Sequence, residues 1–238
     1  MHMPSHRSST PTRLLLALIG LFVLSVAAEA SAQDKTAIEV TEKIQEFYRT
    51  TEDYQATFVQ TYTDIAAGDS TESSGRVFFK KPGKMRWDYL DKKGEKTSLR
   101  KVLVSDGSVF TIYEPEFNQF FKQCLKESQL PTALSFLMGK GELTRDFDPK
   151  LIPSQSSAVQ TVELTPKASQ GTYKKLVFIV DATTFEVREA QIHDPYGNIN
   201  KLTFNKARVN KKLPDSGFRF SPPKTAKVVG GPADVKCE

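Results

Sequence analysis

Apolar and polar positions along the chain change period once, near the start. Ala37, Val40, Ile44 and Phe47 recur at intervals of three and four, the spacing of one helix face, with Asp34, Lys35 and Thr36 ahead of them as candidate caps. From Tyr54 the interval is two. Tyr54, Ala56, Phe58, Gln60 and Tyr62 fall on one side of an extended chain, and Gln55, Thr57, Val59 and Thr61 on the other. Strand-like runs follow over Arg76–Lys80, Lys84–Tyr89, Lys101–Val104, Val109–Tyr113, Gln119–Lys122, Gln160–Leu164, Leu176–Asp181, Val187–Asp194, Asn200–Val209 and Gly217–Phe220. Turn-forming sequences separate nearly all of them, among them Lys81-Pro82-Gly83, Ser105-Asp106-Gly107, Gln170-Gly171 and Tyr196-Gly197-Asn198.

Parallel pairing needs crossovers of about a dozen residues or more, so short turns between successive strands predict an antiparallel meander that curls or closes. One stretch breaks the pattern. Leu130-Pro131-Thr132 leads into Ala133, Leu134, Phe136, Leu137 and Met138 and stops at Gly139, which predicts a short, strongly apolar helix. Alternate strand positions are rich in large apolar side chains: Val77 and Phe79; Met85, Trp87 and Tyr89; Phe110 and Ile112; Leu202 and Phe204; Phe218 and Phe220. Two short helices can cover such a sheet only in part. The expected architecture is therefore mainly β, an unclosed antiparallel half-barrel, with a lid of short helices (Val40, Ile44, Phe47; Leu134, Leu137, Met138) over an apolar cavity. Phe58, Val77, Phe79, Met85, Trp87, Tyr89, Phe110 and Ile112 are its expected lining, against the plainer reading of an ordinary packed core.

The N-terminal region has a basic segment with Arg7 and Arg13, an apolar block from Leu14 to Ala28, and Ala30-Ser31-Ala32 before Gln33. This is the layout of a secretory signal cleaved after Ala32, and the apolar block is short of the roughly 20 residues a membrane span needs. Residues 1–32 are thus expected to be a leader and 33–238 a single domain working outside the cytoplasm as a monomer. The net charge of +5 falls to about +4 without the leader, and it is scattered over lysine pairs between strands. Nucleic acid is not an expected partner in that compartment.

Candidate chemistry is sparse. Of three histidines, only His193 lies beyond the leader, just ahead of the turn at Asp194-Pro195 and with no nucleophile motif around it. No metal-ligand spacing and no cofactor-binding motif is present. Carboxylates such as Asp88, Asp106 and Asp181 read as turn or polar strand-face residues. Cys124 and Cys237 are either joined, pinning the C-terminal tail, or separate, with Cys124 a small buried hydrophobe and Cys237 free. The tail from Pro222 to Glu238 reads as loosely docked.

Several segments, in order and spacing, resemble the LolA family of periplasmic outer-membrane lipoprotein carriers. They are Tyr54-Gln55-Ala56-Thr57-Phe58-Val59-Gln60; Gly75 through Trp87, reading GRVFFKKPGKMRW; Leu103-Val104-Ser105-Asp106-Gly107; Tyr113-Glu114-Pro115; Leu164-Thr165-Pro166-Lys167-Ala168-Ser169; and Phe218-Arg219-Phe220-Ser221-Pro222-Pro223. The resemblance implies an unclosed barrel that binds acylated lipoproteins, taken from an inner-membrane Lol ABC transporter and passed to an outer-membrane LolB-like acceptor. In the family an arginine usually precedes the proline that is here Pro82, and it hydrogen-bonds the lid when closed. This chain has Lys81, whose parity with Val77 and Phe79 puts it at the barrel mouth, and lysine lacks the planar fork of donors, so a lid held less firmly is expected. The competing reading is a periplasmic lipid or lipoprotein sensor, or another lipid-binding protein, on the same fold. A lipidated acceptor would carry a cysteine directly after the leader, and none is there.

Overall fold

The computed structural model describes residues 36–125, 141–169, 171–231 and 234–237. The predicted leader and the predicted lid residues Leu134, Leu137 and Met138 lie outside the described residues.

The first helix, α1, covers 36–50. Its 3.6-residue stripe is wider than the sequence reading had it: Ala37, Val40, Ile44 and Tyr48 are buried, and Phe47 packs beside them half-buried. Six strands follow as hairpins, β1 (Asp53–Asp64), β2 (Asp69–Lys80), β3 (Lys84–Lys93), β4 (Lys96–Asp106), β5 (Val109–Glu114) and β6 (Gln119–Cys124). A one-turn helix α2 (Leu143–Asp146) then leads into β7 (Phe147–Ile152), β8 (Val159–Pro166), β9 (Lys175–Asp181), β10 (Val187–His193) and β11 (Ile199–Val209), and the tail adds β12 (Lys227–Val228).

The twelve strands of the described residues form one sheet in the order β12-β6-β5-β4-β3-β2-β1-β11-β10-β9-β8-β7, with β7 and β12 as its unjoined edges. The pairings are antiparallel except β12 with β6, which is parallel. This is the expected unclosed sheet. β7 escaped the sequence reading because Pro149 interrupts it; proline lacks the ladder donor and is tolerated here on an edge strand, which it also blunts against further pairing.

Strand alternation gives the sheet two faces, and both bury apolar residues. Register aligns Val77, Trp87, Leu103, Ile112 and Phe121 across β2 to β6 on the inner face. The main core lies there and takes in Val40, Ile44 and Tyr48 of α1 together with Val162, Leu164, Leu176, Phe178, Leu202 and Phe204. On the outer face, Val102, Val104, Tyr113 and Phe120 make a smaller cluster covered by Phe220 and Ala226.

The outer cluster corrects two expectations. Residues Gly217–Phe220 do not form a strand: Asp215–Phe218 is a 3-10 turn, and Phe218 and Phe220 cover the outside of the sheet, not its inside. Nor is the tail loosely docked. Lys227 and Val228 pair with Gln119 and Phe120, and Cys237 is bonded to Cys124 with their Cα atoms 5.5 Å apart. The bond resolves the two readings of the cysteines in favour of the joined one.

Candidate functional site: the helix-covered inner face

At Gly75 the inner face has no room for a side chain. A Cβ there would lie 1.9 Å from the Asp88 carbonyl oxygen and 2.9 Å from Phe58 Cε1, so only glycine lets β2 and β3 pair while the Phe58 ring lies across them. That ring meets Trp87 and Tyr89 edge-on, with centroids 4.9 and 5.0 Å apart, and Trp87 in turn meets Phe79 at 5.8 Å. Edge-to-face rings add about 0.5–1.5 kcal/mol each to what burial contributes, so the face is a rigid aromatic wall.

Seven of the eight expected lining residues belong to this wall. Phe58, Val77, Phe79, Met85, Trp87, Tyr89 and Phe110 are each no more than 9% exposed and form one cluster with Val40 and Ile44 of α1. The eighth, Ile112, packs at the margin of the cluster. With Leu103 and Phe121 it lines a hollow of about 220 Å³ near β12, beside Glu114, Gln119 and Val229. The inner face is thus not left bare: α1 lies on it with its own apolar stripe.

Polar groups around α1 fix where it ends. The last turn of a helix leaves carbonyls without intrahelical donors. Lys81, directly after β2, reaches them: its Nζ donates to the carbonyl oxygens of Tyr48 at 2.9 Å and Arg49 at 2.6 Å. A cation at a helix C-terminus also meets the negative end of the helix dipole. The position expected for a latch is therefore occupied by a residue that contacts the lid helix, and the three donors of one ammonium suffice for two carbonyls. Midway along α1, Gln45 donates to Gly141 O at 3.0 Å and accepts from Leu143 N at 2.6 Å, which ties the helix to the start of α2.

Three tyrosines place buried hydroxyls in or beside the aromatic wall. The Tyr48 hydroxyl accepts from Val187 N at 3.2 Å. Burial raises the Tyr48, Tyr54 and Tyr89 phenols above their ordinary range, that of Tyr89 to about 12, so all three are neutral. The Tyr54 hydroxyl is buried with no hydrogen-bond partner among the described residues. Burial also pushes the carboxyl of neighbouring Glu186 upward. His193, half-buried and bonded to Gln191 at 3.1 Å, lies in strand β10 away from this face, and burial followed by Lys175 lowers its pKa. No group of three or more metal-ligating side chains occurs among the described residues.

Sequence reasoning missed one residue of the site. Tyr48 continues the helical stripe one step past Ile44, a signal that was available from spacing alone. On the opposite, outer face, Asp88, read as a polar strand-face residue, is 3% exposed and ion-paired to Arg86 at 2.8 Å and Arg76 at 3.3 Å; Arg86 stands two positions before it in β3, while Arg76 comes alongside only when β2 pairs with β3.

An open antiparallel sheet whose apolar inner face is covered by a helix, and whose helix end is held by a lysine, defines a lidded half-barrel binding protein. The family model described as "Outer membrane lipoprotein carrier protein LolA" matches residues 49–221, and the chain belongs to this family, one of carriers and not of enzymes. It is 26% identical over 189 residues to an outer-membrane lipoprotein carrier protein of Methylobacillus flagellatus, covering 79% of this chain and 88% of the relative. It is 28% identical over 217 residues to the protein of the same name in Ralstonia nicotianae, covering 89% and 95%. Among solved structures, an uncharacterized conserved protein from Thermus thermophilus superposes with a TM-score of 0.51 at 16% identity, covering 82% of this chain and 98% of the other, a likeness of fold.

Proposed function

We propose that the inner face is the seat for the acyl chains of lipoprotein cargo and that α1 occupies it when cargo is absent. In this reading residues 1–32 export the protein, and 33–238 carry lipoproteins through the periplasm from an inner-membrane ABC transporter to a LolB-like acceptor at the outer membrane. One observation carries the reading: the helix covering the aromatic wall is joined to it mainly by side chains that an acyl chain could replace, Val40, Ile44 and Tyr48.

Magnitudes make the exchange workable. Burying an acyl chain of about 16 carbons is worth up to about 12 kcal/mol at about 0.8 kcal/mol per methylene. Displacing three large side chains of α1 from the same wall costs roughly 6 kcal/mol. Loading is then favourable by a modest margin, and the margin is small enough for release to an acceptor. A rigid, empty cavity would retain the full gain and hold its cargo.

The test is Trp87 fluorescence together with mass spectrometry of co-purified lipid, with and without an acylated lipoprotein. A changed emission and a one-to-one complex are expected. No binding under conditions where another member of the family binds the same lipoprotein would end the carrier reading.

A further inference from the structure

The outer face of the sheet holds a recess that carriage of acyl chains does not use. Arg76 and Phe78 of β2 point outward, opposite to Val77 and Phe79, and stand between two adjoining hollows. One, of about 320 Å³, continues over Arg86 and Asp88 to a wall made by Leu213, Pro214 and Phe218. The other, of about 180 Å³, continues the opposite way to Lys206 and Arg208 of β11.

Charge in this recess is one-sided. Its lining holds four cations, Arg76, Arg86, Lys206 and Arg208, and a single carboxylate, Asp88. Asp88 is buried and already bonded to Arg86 and, more loosely, to Arg76, whose side chain is 54% exposed. Lys206 and Arg208 are exposed, and neither has a carboxylate within ion-pair distance among the described residues. Backbone geometry reinforces the arrangement. The register of β1 on β11 shifts between Gln55 and Thr57, and at that irregularity Lys206 takes a φ of 54°. Left-handed backbone at a lysine costs roughly 1–2 kcal/mol, and bulges of this kind re-aim a side chain.

We propose that this recess docks an acidic segment of a partner polypeptide that also bears an apolar side chain. The apolar side chain would rest on Phe78, and carboxylates would pair with Arg76, Lys206 and Arg208. The partner's chemistry follows from complementarity: three cations lacking a full counter-charge call for anions, and a half-buried aromatic floor behind the Leu213–Phe218 wall calls for a side chain that projects. A flat anionic bilayer offers the charge and not the projection.

The experiment uses the purified protein and a short fluorescein-labelled peptide of glutamates flanking one phenylalanine, followed by anisotropy. Saturable binding is expected, weakened at least about tenfold when Lys206→Glu and Arg208→Glu are combined. Binding should persist in Lys206→Arg combined with Arg208→Lys, and in the presence of saturating palmitate, which leaves the outer face untouched. The proposal is overturned by absence of saturable binding, by equal binding of a lysine-for-glutamate peptide, or by indifference to charge reversal. It is equally overturned if palmitate displaces the peptide, or if phosphatidylglycerol vesicles bind and the peptide does not.

Discussion

Lys81 Nζ lies 2.6 Å from the carbonyl oxygen of Arg49, so a residue at the end of β2 caps the helix that covers the inner face. Removing the ammonium in Lys81→Met leaves two helix-end carbonyls to water and lowers stability by about 1 kcal/mol. Loading of a fluorescent lipid should become faster, because the cost of lifting α1 falls. Lys81→Arg should slow loading or release, since the planar fork holds two carbonyls in a fixed geometry. Stopped-flow fluorescence checks both, and unchanged kinetics in the pair would remove any latch role from this position.

Met85 lies on the aromatic wall and is 1% exposed. A carboxylate there, in Met85→Glu, has no partner and costs several kcal/mol when desolvated. Lipid uptake should be abolished while circular dichroism still reports the sheet. Normal uptake would show that Met85 does not line the seat.

Gly75→Ala puts a Cβ against the Asp88 carbonyl oxygen, which is backbone and cannot rotate away. The substitution should destabilise the protein by about 3 kcal/mol, read as a lowered urea midpoint. Truncating Phe58 to alanine in the same chain should not restore stability, because the shortest contact is to β3 and not to the ring.

The Cys124–Cys237 bond closes a loop across 113 residues of sequence separation and holds the tail beside β6. Cys237→Ser should cost about 2–5 kcal/mol in chemical denaturation. Limited proteolysis should cut first beyond Phe220, in the segment the bond retains. A cleavage pattern identical to that of the native protein would show that pairing of β12 with β6 holds the tail unaided.

Hydrogen bonds from Lys80 and Lys84 hold the exposed Asp215 carboxyl down at about 2. A carboxyl with a depressed value in the folded state stabilises that state above its unfolded value, about 3.9, and the contribution is lost as pH falls toward 2. Docking of the Asp215–Phe218 turn should thus weaken between about pH 4 and pH 2 and be indifferent to pH above that window. Carbon-13 titration of the Asp215 carboxyl checks this, with the midpoint expected to rise in Lys84→Met. A midpoint in the native protein near the ordinary aspartate value would mean that the lysines do not hold the turn.

The inner face was legible in the sequence because alternation in one strand reports one face. Val77 with Phe79, and Met85 with Trp87 and Tyr89, needed no knowledge of their neighbours. Lys81 was singled out by the family resemblance, and parity with Val77 added only its face. The outer face was not, since its apolar residues are mixed with charge: Val102 follows Lys101, and Phe78 shares its face with Arg76. What buries them is a tail distant in sequence, and Phe218 with Phe220 imitates a strand by spacing while the Ser216-Gly217 step makes a turn. Likewise β7 hides behind its proline, although the sheet needs it only as a margin.

That margin has a consequence for the size of cargo. A barrel bonded all the way round has its bore set by strand number and shear. Here β7 and β12 are not joined, so the sheet behaves as a gutter whose girth can change through twist alone, with every ladder hydrogen bond kept. One sequence can then wrap cargo of differing bulk.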